Sequence, residues 1–272
     1  DAMAVGNHEF DRGPEFLAGF INGADFPLLG ANIDASADAN LSGKIAPYAI
    51  EPLNGEKVGI IGLITPETQN ISSPGDNVVF LDQATAAMDA IDDLEAQGVN
   101  KIIVLSHMGF DLDQALARTV DGIDIIVGGH SHTLLGDIED LGKSPAGDYP
   151  VEIEGPNGDT IYIVHSWEWA KAVGGFQATF DPDGRVIAFD GAAAFLVGDE
   201  FYQEDADGEM APVDDATKDA ILAAIAAHPA VKVVAEDPAL LAALAPYAEG
   251  IDDLQTEVIA TVGSKEGFSH LC

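Results

Sequence analysis

Three strand-length apolar runs in this chain each lead straight into a short polar segment that carries histidine. The run Asp1-Ala2-Met3-Ala4-Val5 leads into Gly6-Asn7-His8-Glu9-Phe10-Asp11, and a second passes through Leu105-Ser106-His107-Met108-Gly109. The run from Ile123 to Val127 enters Gly128-Gly129-His130-Ser131-His132-Thr133. Chemistry-bearing residues that follow buried strands stand at the carboxyl ends of a sheet, where neighbouring strands turn them into one crevice. The pattern therefore calls for a layered α/β domain with a single site.

The rest of the first ~190 residues fits that frame, since short apolar strands alternate with helix-like stretches. Glu15 to Asn22 reads as a short helix behind Pro14, and Phe26 to Asn32 as a strand running into a loop. Pro47 to Leu53 and Lys57 to Ile64 form a hairpin around Asn54-Gly55. Asp82 to Gln97 is a helix ended by Gly98, Lys101 to Leu105 a strand, and Leu112 to Thr119 a helix. Two further hairpins are expected, Val151 to Glu154 with Thr160 to Val164, and Phe176 to Phe180 with Val186 to Asp190. After about Gly198 the texture changes. The acidic run Asp199 to Asp207 precedes an Ala-rich helix from Asp214 to His228 and more helix from Pro238 to Ala248, with Leu254 to Val262 read as a strand.

Imidazole nitrogens together with amide or carboxylate oxygens suit borderline divalent metals such as zinc, manganese, cobalt or iron. His107, His130 and His132 read as ligands rather than core histidines because all three motifs occur in order, each after a strand. His130 and His132 lie two apart; on an extended segment they point the same way, and on a tight loop they can straddle two adjacent metals. Asp11 follows His8 by three residues, so a helical turn there makes the two side chains neighbours. The carboxylate could then fix the tautomer of the ring and hold it ready to protonate or stabilise a leaving oxygen. His165 also follows a strand but reads as a hydrogen-bonded structural residue, and Trp167 and Trp169 as packing residues. His228 looks like a helix C-terminal residue and His270 like a tail residue.

The chain carries 11 Lys and Arg against 47 Asp and Glu, a formal charge of −36 over 272 residues. A surface of that sign repels nucleic-acid backbones and anionic lipid. It fits adaptation to high salt or solubility outside the cell, and less readily an acidic patch that gathers divalent cations. A small anionic substrate stays possible where metal ions neutralise it locally. Apolar residues make up 47% of the chain, enough for a sizeable core, yet no run reaches the ~18–20 residues of a membrane span. The single cysteine, Cys272, excludes both an internal disulfide and a zinc-thiolate cluster.

The three motifs are similar to the later metal motifs of the calcineurin-like metallophosphoesterases, and more narrowly to the 5′-nucleotidase and 2′,3′-cyclic-nucleotide phosphodiesterase group. The stretch Trp167-Glu168-Trp169 with its following Gly-rich strand resembles the same group, and the resemblance as a whole covers Asp1 to roughly Gly198. The resemblance implies a four-layer α/β/β/α sandwich, incomplete at the N-terminus. It implies a catalytic domain over 1–198 and a helical extension over 199–272 leading to the linker of a further domain. Asn7, His107 and His130 would bind one divalent metal, zinc or manganese first among the choices, and His132 the other. His8 and Asp11 would form the catalytic dyad. The group's upstream Asp-x-His and Gly-Asp motifs, which supply most of the first metal's ligands, have no counterpart in this sequence. The resemblance also implies that a cysteine at the place of Cys272 can pair with another shortly after it.

The activity so implied is metal-dependent hydrolysis of a small nucleotide or other phosphate ester, in a periplasmic or extracellular protein. A cyclic phosphodiester, a nucleotide sugar or a sulfur ester is the alternative substrate on the same site. A reading of another class is a non-catalytic piece that holds one metal and hydrolyses nothing.

Overall fold

A computed structural model describes residues 1–205 and 208–256. These fall into two compact units, one of Asp1–Leu196 with Ala226–Lys232 and one of Val197–Ile225 with the chain from Val233 onward.

In the first unit the early elements are β1 (Met3–Ala4), a 3-10 turn (Asn7–Phe10), α1 (Gly13–Gly23), β2 (Leu28–Leu29), β3 (Ile33–Asp34), β4 (Tyr48–Leu53) and β5 (Glu56–Ile64). Then come α2 (Thr68–Ile71), β6 (Val79–Phe80), α3 (Gln83–Ala96), β7 (Ile102–His107), α4 (Phe110–Thr119) and β8 (Ile125–Gly128). The strands β9 (Val151–Glu154), β10 (Thr160–His165), β11 (Ala172–Phe180) and β12 (Val186–Val197) follow. A six-stranded sheet runs in the order β4-β5-β7-β8-β10-β9. Its inner neighbours β5, β7, β8 and β10 are parallel, and its edge strands β4 and β9 are antiparallel.

Strand alternation decides which side chains meet which layer. On β5, Ile61 and Leu63 are fully buried beside Ala87, Ala90, Ile91 and Leu94 of α3 and Leu116 and Ala117 of α4. Each such Leu or Ile taken out of water contributes about 1.5–3 kcal/mol. The opposite face of β5 presents Gly62, whose missing side chain lets the Leu29 backbone of β2 lie directly on the sheet. Beyond it Val5, Leu28 and Ile64 pack with Leu17 and Ala18 of α1. The succession α3 and α4, large sheet, β1–β2 pair and α1 gives four layers, the architecture expected from the sequence.

Several boundaries follow from local chemistry. Asn54 and Gly55 both take positive φ, 54° and 88°, as a two-residue hairpin turn requires. Asp82 caps α3 by accepting the Thr85 N–H at 2.8 Å, and Gly98 at φ 75° follows its end. The strand expected over Phe26 to Asn32 shortens to Leu28–Leu29. Pro27 has no N–H to give, and the N–H groups of Gly30 and Ala31 turn away to Ala46 and Gly62. The antiparallel ribbon of β11 and β12 is longer than expected, paired from Ala172↔Phe195 to Phe180↔Val186 with one register shift between Thr179 and Phe180. It is tied to the main sheet by the stacked rings of Tyr162 and Phe189, 4.8 Å apart.

In the second unit β13 (Tyr202–Glu204) pairs antiparallel with β14 (Met210–Pro212), followed by α5 (Asp215–Ala227). A last helix, α6 (Pro238–Thr256), runs through Pro246 and past the Ala248 end expected from sequence. Leu254, Gln255 and Thr256 therefore continue a helix rather than start a strand. The remainder of that run, His270 and Cys272 lie outside the described residues.

Candidate metal centre

The first motif is shaped by a short turn. Gly6 is extended and donates its N–H to Glu9 Oε2 at 2.7 Å. Phe10 is fully buried, its ring edge-on to Phe80 at 5.7 Å, which anchors the turn. The turn buries Asn7 and leaves the His8 side chain 77% exposed. His8 Nδ1 lies 2.8 Å from Asp11 Oδ2, and Ser72 Oγ donates to the other oxygen, Asp11 Oδ1, at 2.8 Å. The bond to His8 and then that to Ser72 hold the Asp11 carboxyl below the usual carboxylate range.

His107 ends β7, and His130 follows β8 by two residues. Both reach back to one atom. Asn7 Oδ1 is 2.9 Å from His107 Nε2 and 3.2 Å from His130 Nδ1, with the imidazole centroids 5.1 Å apart. The approach needs small neighbours. A Cβ on Gly6 would lie 2.8 Å from His107 Cε1, and one on Gly129 would lie 3.4 Å from His107 Nδ1. Burial, reinforced by the like charges of His130, His8 and His132, lowers the His107 pKa to about 4. Burial lowers that of His130 too, opposed by Glu67. His107 is accordingly neutral near pH 7, the protonation state in which an imidazole can ligate a cation.

His132 stands apart from this group. Its Nδ1 is 3.3 Å from Glu168 Oε2, while Lys171 Nζ bonds Glu168 Oε1 at 2.8 Å. His130 and His132 both take left-handed backbone, φ 71° and 52°. So do Trp167, Trp169 and Ala170 in the segment that brings Glu168 alongside. Trp167 packs edge-on to Phe195, as expected of a packing residue, but Trp169 is 73% exposed with His132 edge-on to its ring at 5.6 Å. His165 is a buried structural residue bonded to Asp113 at 2.7 Å, and His228, one residue past α5, bonds Asp140 at 3.1 Å.

An amide oxygen and two imidazoles form a donor set that fits a borderline divalent ion. The set carries no charge of its own, and among the described residues no group of three or more His, Cys, Asp or Glu side chains closes on one point. The fold thus joins Asn7, His107 and His130 in one cluster and His8 with Asp11 in a second, and gives His132 to Glu168. Beside His8 and Asp11, Arg12, Phe16 and Phe20 help line a cavity of about 410 Å³, with the Arg12 guanidinium 4.1 Å above the Phe16 ring. Ser72 and Glu168 are the partners that sequence reasoning did not assign. Ser72 carries no local signal, and Glu168 was visible only as part of the Trp167-Glu168-Trp169 stretch.

No protein-family model matches the sequence. Over 266 residues, 96% of this chain, it is 35% identical to a probable 5′-nucleotidase of Treponema pallidum, of which it covers 45%. It is 41% identical over 200 residues to the human 5′-nucleotidase, covering 72% of this chain and 35% of the relative. The chain therefore spans less than half the length of these relatives. Among solved structures, a 5′-nucleotidase precursor from Thermus thermophilus aligns at TM-score 0.73 and 42% identity, over 95% of this chain and 45% of that one. The NAD nucleotidase of Haemophilus influenzae aligns at TM-score 0.87 and 31% identity, over 96% and 52%. A calcineurin-like phosphoesterase of Bacillus subtilis aligns at TM-score 0.58 and 30% identity, over 72% and 63%.

Proposed function

Because this chain belongs to the 5′-nucleotidase family of calcineurin-like phosphoesterases, we propose that it forms the catalytic part of an enzyme that hydrolyses nucleotide phosphomonoesters with divalent metals. The observation that carries this reading is the meeting of His107 and His130 on Asn7 Oδ1, on the same short turn that sets His8 against Asp11. Asn7, His107 and His130 would hold one metal and His132 the other, with zinc or manganese suited to such donors. Bound there, the metals would supply Lewis-acid stabilisation of the phosphoryl oxygens and an activated water.

The chain's own residues do the rest. Asp11 anchors Nδ1 of His8, so that Nε2 faces outward to meet the departing oxygen. Ser72 keeps the carboxyl from turning away. The Arg12 guanidinium supplies positive charge beside the dyad in a chain of −36. We assign the catalytic portion to 1–198 and the helical extension to 199–272, and place the protein outside the cytoplasm on the family resemblance.

Two other readings have an observation behind them. The likeness to a protein named NAD nucleotidase favours a dinucleotide as substrate on the same residues. The uncharged donor set of Asn7, His107 and His130 favours a piece that holds one metal without hydrolysis. Product analysis after incubating the full chain with a panel of nucleoside monophosphates, cyclic nucleotides and NAD separates all three. Free phosphate from the monophosphates supports the proposal. Mononucleotide release from NAD alone supports the second reading. No turnover with metal bound leaves only the third.

A further inference from the structure

Behind the candidate ligands lies a buried polar group that the proposed chemistry does not use. Asp113, in the first turn of α4, is fully buried. Its Oδ1 accepts the hydroxyl of Ser106 on β7, and its Oδ2 lies 2.7 Å from Nε2 of His165 on β10, itself 2% exposed. Ser106, Gly128 and His165 stand side by side across β7, β8 and β10, since the ladders pair Ser106↔Gly128 and His165↔Gly128. Gly128 has to be glycine, because a Cβ there would run into the His165 ring and the Asp113 carboxyl. One carboxyl thus spans three strand ends.

Each of those strand ends leads into a residue of the candidate centre. Ser106 precedes His107, and its Oγ also receives the Met108 N–H at 3.2 Å, so the backbone is bound on both sides of His107. Gly128 precedes Gly129 and His130. His165 precedes Glu168, the partner of His132, by three residues, and Phe110 lies edge-on to its ring at 5.4 Å. The same helix start reaches the histidine loop, where the Phe110 N–H donates to Ser131 Oγ at 3.0 Å. A buried carboxyl with both oxygens engaged fixes its partners far more tightly than apolar packing would.

We infer that Asp113 is a positioning residue for the candidate metal ligands, acting through Ser106 on His107 and through His165 and Gly128 on the loop that carries His130 and His132. The inference rests on reading His107 and His130 as ligands. Outer partners of this kind set metal affinity, and their loss costs about 10–100-fold.

The test is calorimetric titration of the full chain with Mn²⁺ alone, with thermal melts in parallel, on wild type, Asp113→Asn, Ser106→Ala and the exposed control Asp111→Asn. Asp113→Asn keeps the shape but misplaces a donor, and is expected to weaken Mn²⁺ binding about 10–100-fold. Ser106→Ala weakens it in the same direction with a cooperative melt, and Asp111→Asn leaves it unchanged. Wild-type affinity in Asp113→Asn overturns the inference and leaves the proposed function standing. Should Asp113→Asn fail to fold, wild-type affinity in Ser106→Ala overturns it. A wild-type chain that takes up no Mn²⁺ overturns the proposed function and this inference together.

Discussion

His8 Nδ1 sits 2.8 Å from Asp11 Oδ2, on a pair of side chains that faces outward rather than into the core. Exposure of this kind means that the two can be changed without opening a cavity. His8→Ala in the full chain is therefore expected to leave the melting temperature within a degree or two and to lower kcat by roughly 10²–10⁴, with KM little altered. Asp11→Asn, which keeps the contact but loses the charge, should lower kcat less. Steady-state kinetics on a nucleoside monophosphate checks both, and a His8→Ala variant with wild-type kcat removes His8 from the mechanism.

Glu168 bears on His132 in the same indirect way. With Glu168→Gln the 3.3 Å contact to His132 and the 2.8 Å contact to Lys171 lose their charge. Chelator treatment is expected to abolish hydrolysis, and added Mn²⁺ or Zn²⁺ to restore it. The variant should need about tenfold more metal for half-restoration. Equal metal requirement in variant and wild type would show that Glu168 has no part in holding His132.

A pH dependence follows from His107, whose folded pKa is about 4 against 6.5 for the free side chain. Between those values the unfolded chain takes up a proton that the folded chain refuses. Stability therefore falls as pH drops from about 6.5 toward about 4. Urea unfolding in chelator across that window should show the loss, and His107→Gln should flatten it. An unchanged slope in His107→Gln would place the titration elsewhere.

Asp124 shows the opposite sign at the amino end of the same sheet. Its Oδ2 accepts the Ile102 N–H at 2.7 Å, yet burial, with Asp159 adding to it, raises its pKa from 3.8 to about 7. The folded state holds the proton longer than the unfolded one, so this contribution is present at acid pH and lost as pH rises through about 7. Asp124→Asn should gain about 1–3 kcal/mol on wild type between mildly acid and mildly alkaline buffer, measured by denaturant midpoints. A constant difference across pH would refute the assignment.

Much of this was legible in the sequence because it is local. The alternation along Glu56–Ile64 separates Ile61 and Leu63 from Gly62 and Ile64, and so names the two layers that β5 divides. Asn54-Gly55 and Asp82 mark a turn and a cap with the residues those geometries require. The spacing of His8 and Asp11 put them on one turn. What stayed hidden depends on partners distant in the chain. Nothing near Glu168 says that it meets His132, or near Ser72 that it meets Asp11, 61 positions away. Trp167 and Trp169 look alike in sequence, but one packs on Phe195 and the other faces outward, because positive φ at both redirects the segment. The strand expected from Phe26 shrank for a similar reason, its later N–H groups being claimed by Ala46 and Gly62.

The left-handed backbone at His130 and His132 has a consequence for how this surface could change over time. A residue that carries a Cβ gives up about 1–3 kcal/mol in that conformation relative to glycine. Replacing either histidine by glycine would relieve that strain, so a substitution that removes the imidazole is also one the backbone welcomes. A variant collection sorted only for resistance to heat would be expected to drift toward it. Only a screen for function would keep the imidazoles in place.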